Sequence, residues 1–386
     1  MSDDTVDALM EKSRKHCLRH GVKRFTFVLH GGEPMLAGKE FFRKFVQKAK
    51  DVMLPEIEPV FSIQTNAILI DDEWCDLFAE LGIEIGISID GTKEANDQYR
   101  IDHKGKGTYD RVIAGLRKTQ ESQALKDANI ESGMLSVMNI ETDPMEVYEH
   151  FKSLKVSSVD FGLPDNIYDD LPPGKIRKEK MHDQPTPYAD WLITIFDRWF
   201  HEEKHELRIR FFEDIISLIL GKKISYDQVG TGKLEVLVVE TDGGIEALDV
   251  LRICGDGFTK AGLNVQENDL DEALESSLAS LYHNSKQKLC KQCTICPVRD
   301  ICGGGYIPHR YSADKGFNNP SLYCSDLLKM IIHIQNSVLS EIPKEILEKH
   351  DISFLSFELA KNLIDQNMET ASDPSYLEEL EEFKVV

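Results

Sequence analysis

A chain of 386 residues with 41% hydrophobic content is large enough for two domains, or for one barrel with an appendage. Its formal net charge of −22 makes nucleic acid and anionic membrane surfaces poor partners, because repulsion has to be overcome before any contact forms. No apolar stretch approaches the roughly 20 residues that span a bilayer, and no N-terminal export segment is visible, so a protein of the reducing cytoplasm is expected.

The first 165 residues alternate helix-period and strand-like segments, the order of a parallel sheet. A helix from Asp3 to His20 precedes a strand from Arg24 to Leu29, and a helix from Lys39 to Val52 precedes a strand from Val60 to Gln64. A helix from Asp71 to Leu81 then leads to a strand from Ile83 to Ser88. After a polar loop come helix Tyr109 to Thr119, strand Glu131 to Met138, helix Asp143 to Leu154 and strand Ser157 to Leu163, five strands in all. The segment from Leu171 to about Gln184 reads as a loop crossing the barrel mouth. Helices follow from Tyr188 to Glu203 and from Arg210 to Leu220, then a hairpin of Leu234 to Glu240 and Ile245 to Leu248, turned at Thr241-Asp242-Gly243-Gly244. Asp326 to Leu339 and Phe354 to Gln366 look helical, and the acidic run from Glu369 to Lys384 reads as a loosely held tail.

In a parallel α/β barrel, ligands sit where strands end. The first three strands here end in His30-Gly31-Gly32-Glu33-Pro34, in Gln64-Thr65-Asn66 and in Ser88-Ile89-Asp90-Gly91, with Arg100 twelve residues after Ser88. Singly these are ordinary turn residues. Together they offer glycine backbone and a carboxylate for an ammonium group, polar side chains for ribose hydroxyls, and a hydroxyl with a guanidinium for a carboxylate. That set suits an amino-acid nucleoside.

Five of the eight cysteines fall in Cys290-x2-Cys293-x2-Cys296-x5-Cys302, a glycine triplet and, further on, Cys324. Thiols so spaced chelate a soft metal, either zinc or an iron-sulfur cluster. The triplet run ending in Cys296-Pro297 is of the ferredoxin type, and the glycines leave room beside the backbone.

FVLHGGEP, SIQTNAILI and GISIDG in this order resemble the radical S-adenosylmethionine (SAM) superfamily, specifically its members with a C-terminal SPASM domain such as the anaerobic sulfatase-maturating enzymes. The resemblance implies a 4Fe-4S cluster and SAM as cofactors. It assigns Gly31, Gly32, Glu33 and Pro34 to the methionine amino group, Gln64 and Asn66 to the ribose, and Ser88 and Arg100 to the methionine carboxylate, with Asp90 in the same cofactor-binding set. It implies an α/β fold: a partial (β/α)6 TIM-type barrel missing its first strand over residues 1–185, a helical connection over 186–232, a SPASM iron-sulfur module over 233–342, and a helix and acidic tail over 343–386. Segments around Asp160 to Asp165, Tyr188 to Phe200 and Cys302 to Cys324 are similar to maturases of ribosomally made peptides, which install side-chain cross-links including cyclophane rings. The implied partners are a precursor peptide and an electron donor such as a flavodoxin or ferredoxin, with neither nucleic acid nor membrane.

Two departures accompany the resemblance. The superfamily's C-x3-C-x2-C is absent from this sequence, which begins in what resembles the first barrel helix; a shortened N-terminus, a natural cluster-less homologue or a strand supplied by another chain would each account for it. Whether the chain is an enzyme as it stands is therefore open. In the SPASM module the resemblance places one auxiliary 4Fe-4S cluster on Cys293, Cys296, Cys302 and Cys324, with Cys290 as an alternative ligand. The other auxiliary cluster is expected to be lost, since Tyr306 and Asp249 stand where the family has cysteines. Asp165, Asp249 and Asp326 are candidate general bases by their predicted position. The readings are a peptide-modifying radical SAM enzyme, an inactive homologue that binds peptide or SAM, and a zinc-binding structural protein.

Overall fold

A computed structural model describes residues 1–176 and 180–385. Six parallel strands lie in sequence order: β1 (Arg24–Leu29), β2 (Glu58–Thr65), β3 (Ile83–Ser88), β4 (Ser132–Val137), β5 (Ser158–Gly162) and β6 (Arg208–Ile209). Helices α1 (Asp3–His20), α2 (Lys39–Met53), α3 (Asp72–Leu81), α4 (Lys93–Tyr99), α5 (Tyr109–Glu121), α6 (Gln123–Asp127), α7 (Pro144–Ser153), α8 (Pro187–Phe200) and α9 (Arg210–Ile219) accompany them. Unidirectional pairing in sequence order with helices between strands is the partial TIM-type barrel read from the sequence.

Side-chain parity gives the sheet its two faces. In β3, Ile83, Ile85 and Ile87 are buried while Glu84, Gly86 and Ser88 are not; in β2, Phe61, Ile63 and Thr65 are buried while Ser62 and Gln64 are partly open. The branched and aromatic set packs against the helices, and each such side chain contributes roughly 1.5–3 kcal/mol on burial. The other set lines the concave face. There the register pairs Gly86 with Gly133, and a hollow of about 680 Å3 lies over Ser62, Gln64, Glu84 and these two glycines.

Beyond α9 a three-stranded antiparallel sheet is formed by β7 (Val238–Val239), β8 (Gly244–Glu246) and β9 (Lys260–Asn264), followed by α10 (Leu270–Leu274), α11 (Ser277–His283), α12 (Lys291–Thr294), α13 (Arg299–Cys302) and α14 (Cys324–Ser340). The third strand was not expected. This C-terminal module has its own core, including Leu251, Tyr282, Tyr306, Tyr311 and Phe317. Helices α15 (Lys344–Lys349), α16 (Phe357–Met368) and α17 (Leu377–Glu381) close the chain.

Three expectations change. The polar loop before Tyr109 contains α4, capped by Thr92, whose hydroxyl accepts from Ala95 N at 3.4 Å. The acidic tail is not loosely held: Leu380 is fully buried in the module core, Phe317 N donates to Leu380 O at 2.7 Å, and Phe383 packs on Phe258 and Phe317. The loop from Leu171 to Gln184 is tied down at Lys175 and contains a short 3-10 turn at Met181–Asp183; its residues 177–179 lie outside the described residues.

Candidate functional site

The polar residues at the first three strand ends form a linked row. Glu33, just after β1, accepts from Met35 N at 3.0 Å, from Thr65 Oγ1 at 2.8 Å and from Asn66 N at 3.0 Å. A carboxylate has about four lone-pair sites, so Glu33 braces the glycine turn against the end of β2 and keeps capacity for one more donor. Gln64 Nε2 donates to Ser88 Oγ at 2.8 Å across the concave face. Gly86 permits this: a Cβ there would stand 2.2 Å from Gln64 Oε1. Arg100 makes a bidentate pair with Asp90, Nε to Oδ2 at 2.6 Å and Nη2 to Oδ1 at 3.0 Å, and Asp90 Oδ1 also accepts from Val137 N at 2.9 Å. The structure thus gathers Glu33, Gln64, Asn66, Ser88, Asp90 and Arg100 along one rim, with Arg100 held by Asp90.

The C-terminal module sits over that rim. His30 Nδ1 lies 3.4 Å from Asp249 Oδ2, a pair that raises the histidine pKa and lowers that of the carboxylate through their hydrogen bond. On the β5 side, Tyr323 Oη donates to Pro164 O at 2.8 Å and Tyr168 N donates to Tyr311 O at 3.0 Å. Next in the chain stands Asp165. Desolvation, then the like charges of Asp227 and Asp249, push its carboxyl up to about 6. Its Oδ1 is 4.0 Å from Nε2 of His309, a ring set between Tyr306 and Tyr323, and burial drives that imidazole down to about 3. Asp165 and Asp249 therefore both reach the space between rim and module. Asp326 does not: it is buried against Lys175 and accepts from Tyr188 N and Ala189 N, each at 3.0 Å, which makes it the cap of α8.

Cys293, Cys296, Cys302 and Cys324 line one hollow with Gly304, Ser321 and Leu328. Cys290 is not in that lining; it takes a hydrogen bond from Cys293. Gly303, Gly304 and Gly305 have φ of 58°, 78° and 69°, three successive left-handed residues that no ordinary sequence adopts, and a Cβ on Gly303 would stand 1.7 Å from Gly230 O. Burial and neighbouring thiols raise the pKa values of Cys296, to about 12, and of Cys324. Two buried cations stand nearby: Arg310, fully buried, which donates to Lys288 O and Ser285 O, and Lys286, brought down to about 7 by burial and Arg310. Cations in a dry interior call for negative charge, which these thiols would supply only once deprotonated, as metal ligands are. Among the described residues no three cysteine sulfurs lie within 4.8 Å of one another. The roughly 3.8 Å edge of a zinc tetrahedron, which follows from Zn–S bonds of about 2.3 Å, is tighter than that spacing.

Comparison with known proteins decides the class of the N-terminal part. Residues 2–160 match the radical SAM superfamily. This segment is a radical SAM domain. The chain is homologous to the anaerobic sulfatase-maturating enzymes: it is 29% identical over 323 residues to the cysteine-type enzyme of Clostridium novyi (strain NT), covering 82% of each chain. It is also 25% identical over 328 residues to the serine-type enzyme of Bacteroides thetaiotaomicron, covering 81% of this chain and 75% of that one. The fold is that of native anSMEcpe with bound AdoMet and Kp18Cys peptide, with a TM-score of 0.71 at 24% identity over 89% of this chain and 91% of the other. No helix among the described residues is long and apolar enough to cross a membrane.

A radical SAM domain implies SAM and a 4Fe-4S cluster. The residues present fit SAM. A Cβ built on Gly31 or Gly32 would meet nothing within 4 Å, so this backbone faces open space beside Glu33. The SAM-site cluster does not fit these residues: the chain has no C-x3-C-x2-C, and Cys17 and Cys75 are buried in the barrel core with thiols raised to about 11 by burial. Sequence reasoning missed Thr65, which orients Glu33, and the buried group of Asp227, Lys286, His309 and Arg310. Thr65 stood inside a recognised motif; the others carry no local signal, because only tertiary packing brings them to the mouth and the cysteine hollow.

Proposed function

We propose that this chain is the SAM-binding and peptide-binding body of a radical SAM maturase, one that modifies a ribosomally made peptide and belongs with the side-chain cross-linking members. The observation that carries this reading is the placement of Asp165, with its carboxyl near 6, in the space between the SAM-type rim and the module that overhangs it. A carboxylate so poised near neutrality suits removal of a proton from a substrate held there. Gly31, Gly32 and Glu33 would hold the ammonium of SAM, Gln64 and Asn66 its ribose, and Ser88 its carboxylate; Arg100 reaches the same carboxylate by sharing its guanidinium with Asp90. Cys293, Cys296, Cys302 and Cys324 would hold one auxiliary 4Fe-4S cluster, in a SPASM-type module. Such a cluster supplies a one-electron acceptor. A peptide is favoured as substrate because a structure of the same fold holds a Cys peptide together with AdoMet.

A second reading is favoured by one observation, the absence of C-x3-C-x2-C from these residues: the barrel binds SAM and peptide without chemistry of its own. The two share a test and then part. After anaerobic loading with iron and sulfide, the chain is expected to carry about four irons, to lose them on Cys324→Ser and to keep them on Cys290→Ser. Equilibrium dialysis is expected to show one SAM per chain. Failure to bind SAM overturns both readings. With a C-x3-C-x2-C segment supplied ahead of these residues, release of 5'-deoxyadenosine from bound SAM on reduction by a flavodoxin or ferredoxin supports the enzyme, and none supports the binding protein.

A further inference from the structure

Away from the mouth, α1 presents two imidazoles to the C-terminal module. His16 and His20 are four residues apart and so share one face of the helix, their ring centroids 4.6 Å apart. Both meet Asp271 of α10, which lies 255 positions beyond His16: His16 Nδ1 is 2.5 Å and His20 Nε2 is 2.8 Å from the same oxygen, Oδ1. The other oxygen takes the guanidinium of Arg19. The neighbouring Asp269 takes Lys12, at 2.8 Å, and Lys15.

We propose that His16, His20 and Asp271 form a binding site for a divalent first-row ion of the zinc or nickel kind, stapling the first helix of the barrel to the C-terminal module. The three donor atoms lie within 4.8 Å of one another, and among the described residues no other trio of histidine, cysteine or carboxylate ligands does so. Two nitrogens and one oxygen, with water completing the shell, suit zinc, nickel or copper rather than calcium or magnesium, which take oxygen sets. Metal–ligand bonds of roughly 2.0–2.2 Å place donors about 3.3 Å apart in a tetrahedron, so the carboxylate has to withdraw from each imidazole by less than about 1 Å. The incoming ion replaces the two ring protons that Oδ1 now accepts. Arg19 holds the outer oxygen and so fixes the carboxylate plane, the usual task of a group behind a ligand. Its charge, with those of Lys12 and Lys15, weakens the site; Asp269 offsets the two lysines. Access is open, since the His20 side chain is 49% exposed. The site is independent of the SAM reading, as none of its residues touches the rim or the cysteine hollow.

Nickel titration of the full chain by calorimetry tests the proposal, with wild type compared against His16→Ala, His20→Ala and His20→Gln. The thiols contribute equally to every chain and cancel in the difference. Wild type is expected to bind one more nickel ion than each variant and to show a rise in thermal midpoint with nickel that the variants lack. His20→Gln keeps a hydrogen-bond donor toward Asp271 but is a poor ligand, so it should retain metal-free stability while losing the ion. Equal nickel stoichiometry in wild type and all three variants would leave a hydrogen-bonded clamp and overturn the metal site.

Discussion

Lys175 and Asp326 are an ion pair sealed from water, their side chains only 1% and 3% exposed. The ammonium also donates to Pro185 O at 2.8 Å and Ser325 Oγ at 3.1 Å, while the carboxylate caps α8. Lys175→Met removes the counter-charge and leaves a buried carboxylate with two backbone donors, a loss expected at about 3–5 kcal/mol. Burial already raises the pKa of Asp326, and without the lysine it rises further. A carboxyl raised in the folded state binds protons more tightly there than in the unfolded chain, so stability falls as pH rises through the interval between the two values. The deficit should therefore be larger at pH 8 than at pH 5.5, because taking up a proton relieves the orphaned group. Adding Asp326→Asn should recover much of it, since the amide oxygen still accepts from Tyr188 N and Ala189 N. Urea unfolding followed by tryptophan fluorescence reads this directly, with Trp191 and Trp199 buried in α8. A Lys175→Met chain within about 0.5 kcal/mol of wild type at pH 8, or equally weakened at both pH values, would refute the reasoning. Because Asp326 lies two residues from Cys324, iron retention should fall with stability.

Two further outcomes follow from the rim and the mouth. Gly86→Ala puts a methyl where Gln64 Oε1 lies, so the amide must leave Ser88; loss of that hydrogen bond, about 0.5–1.5 kcal/mol, should weaken SAM roughly 2- to 12-fold in equilibrium dialysis, and unchanged affinity would detach Gln64 from the cofactor. Asp165→Asn should stabilise the chain by about 1 kcal/mol at pH 8, a figure reduced for its half-exposed side chain, and by nothing at pH 4. The sign follows because a carboxyl raised to about 6 costs stability only once ionised; equal effects in chemical unfolding at both pH values would sink the assignment.

How far the sequence disclosed this molecule depended on the length of each signal. Strands β1 to β5 carry alternating or continuous apolar runs between helix caps, and their ends hold recognisable polar clusters. β6 is only Arg208–Ile209, too short for any period, and exists because Val159 of β5 offers a partner. α4 buries only Ala95 and Asn96, so it has no apolar stripe, and Thr92 was its one local sign. The cysteine spacing suggested a chelating loop and the resemblance named Cys324 over Cys290; in the fold Cys324, the first residue of the long α14, shares a hollow with Cys293, Cys296 and Cys302, while Cys290 lies outside its lining. Charge alone misled at the tail, because Leu377, Leu380 and Phe383 are spread among glutamates, yet one face suffices to bury Leu380.

That docked tail bears on how the protein is made. The aromatic cluster of Phe258, Tyr311 and Phe317 is completed by Phe383, so the module stays ajar until that residue has left the ribosome. At about 5–20 residues per second, the stretch from Cys302 to Phe383 takes roughly 4–16 s to synthesise. During those seconds the aromatic cluster lacks its last ring, and the seam made by Phe317 N with Leu380 O forms only as synthesis ends.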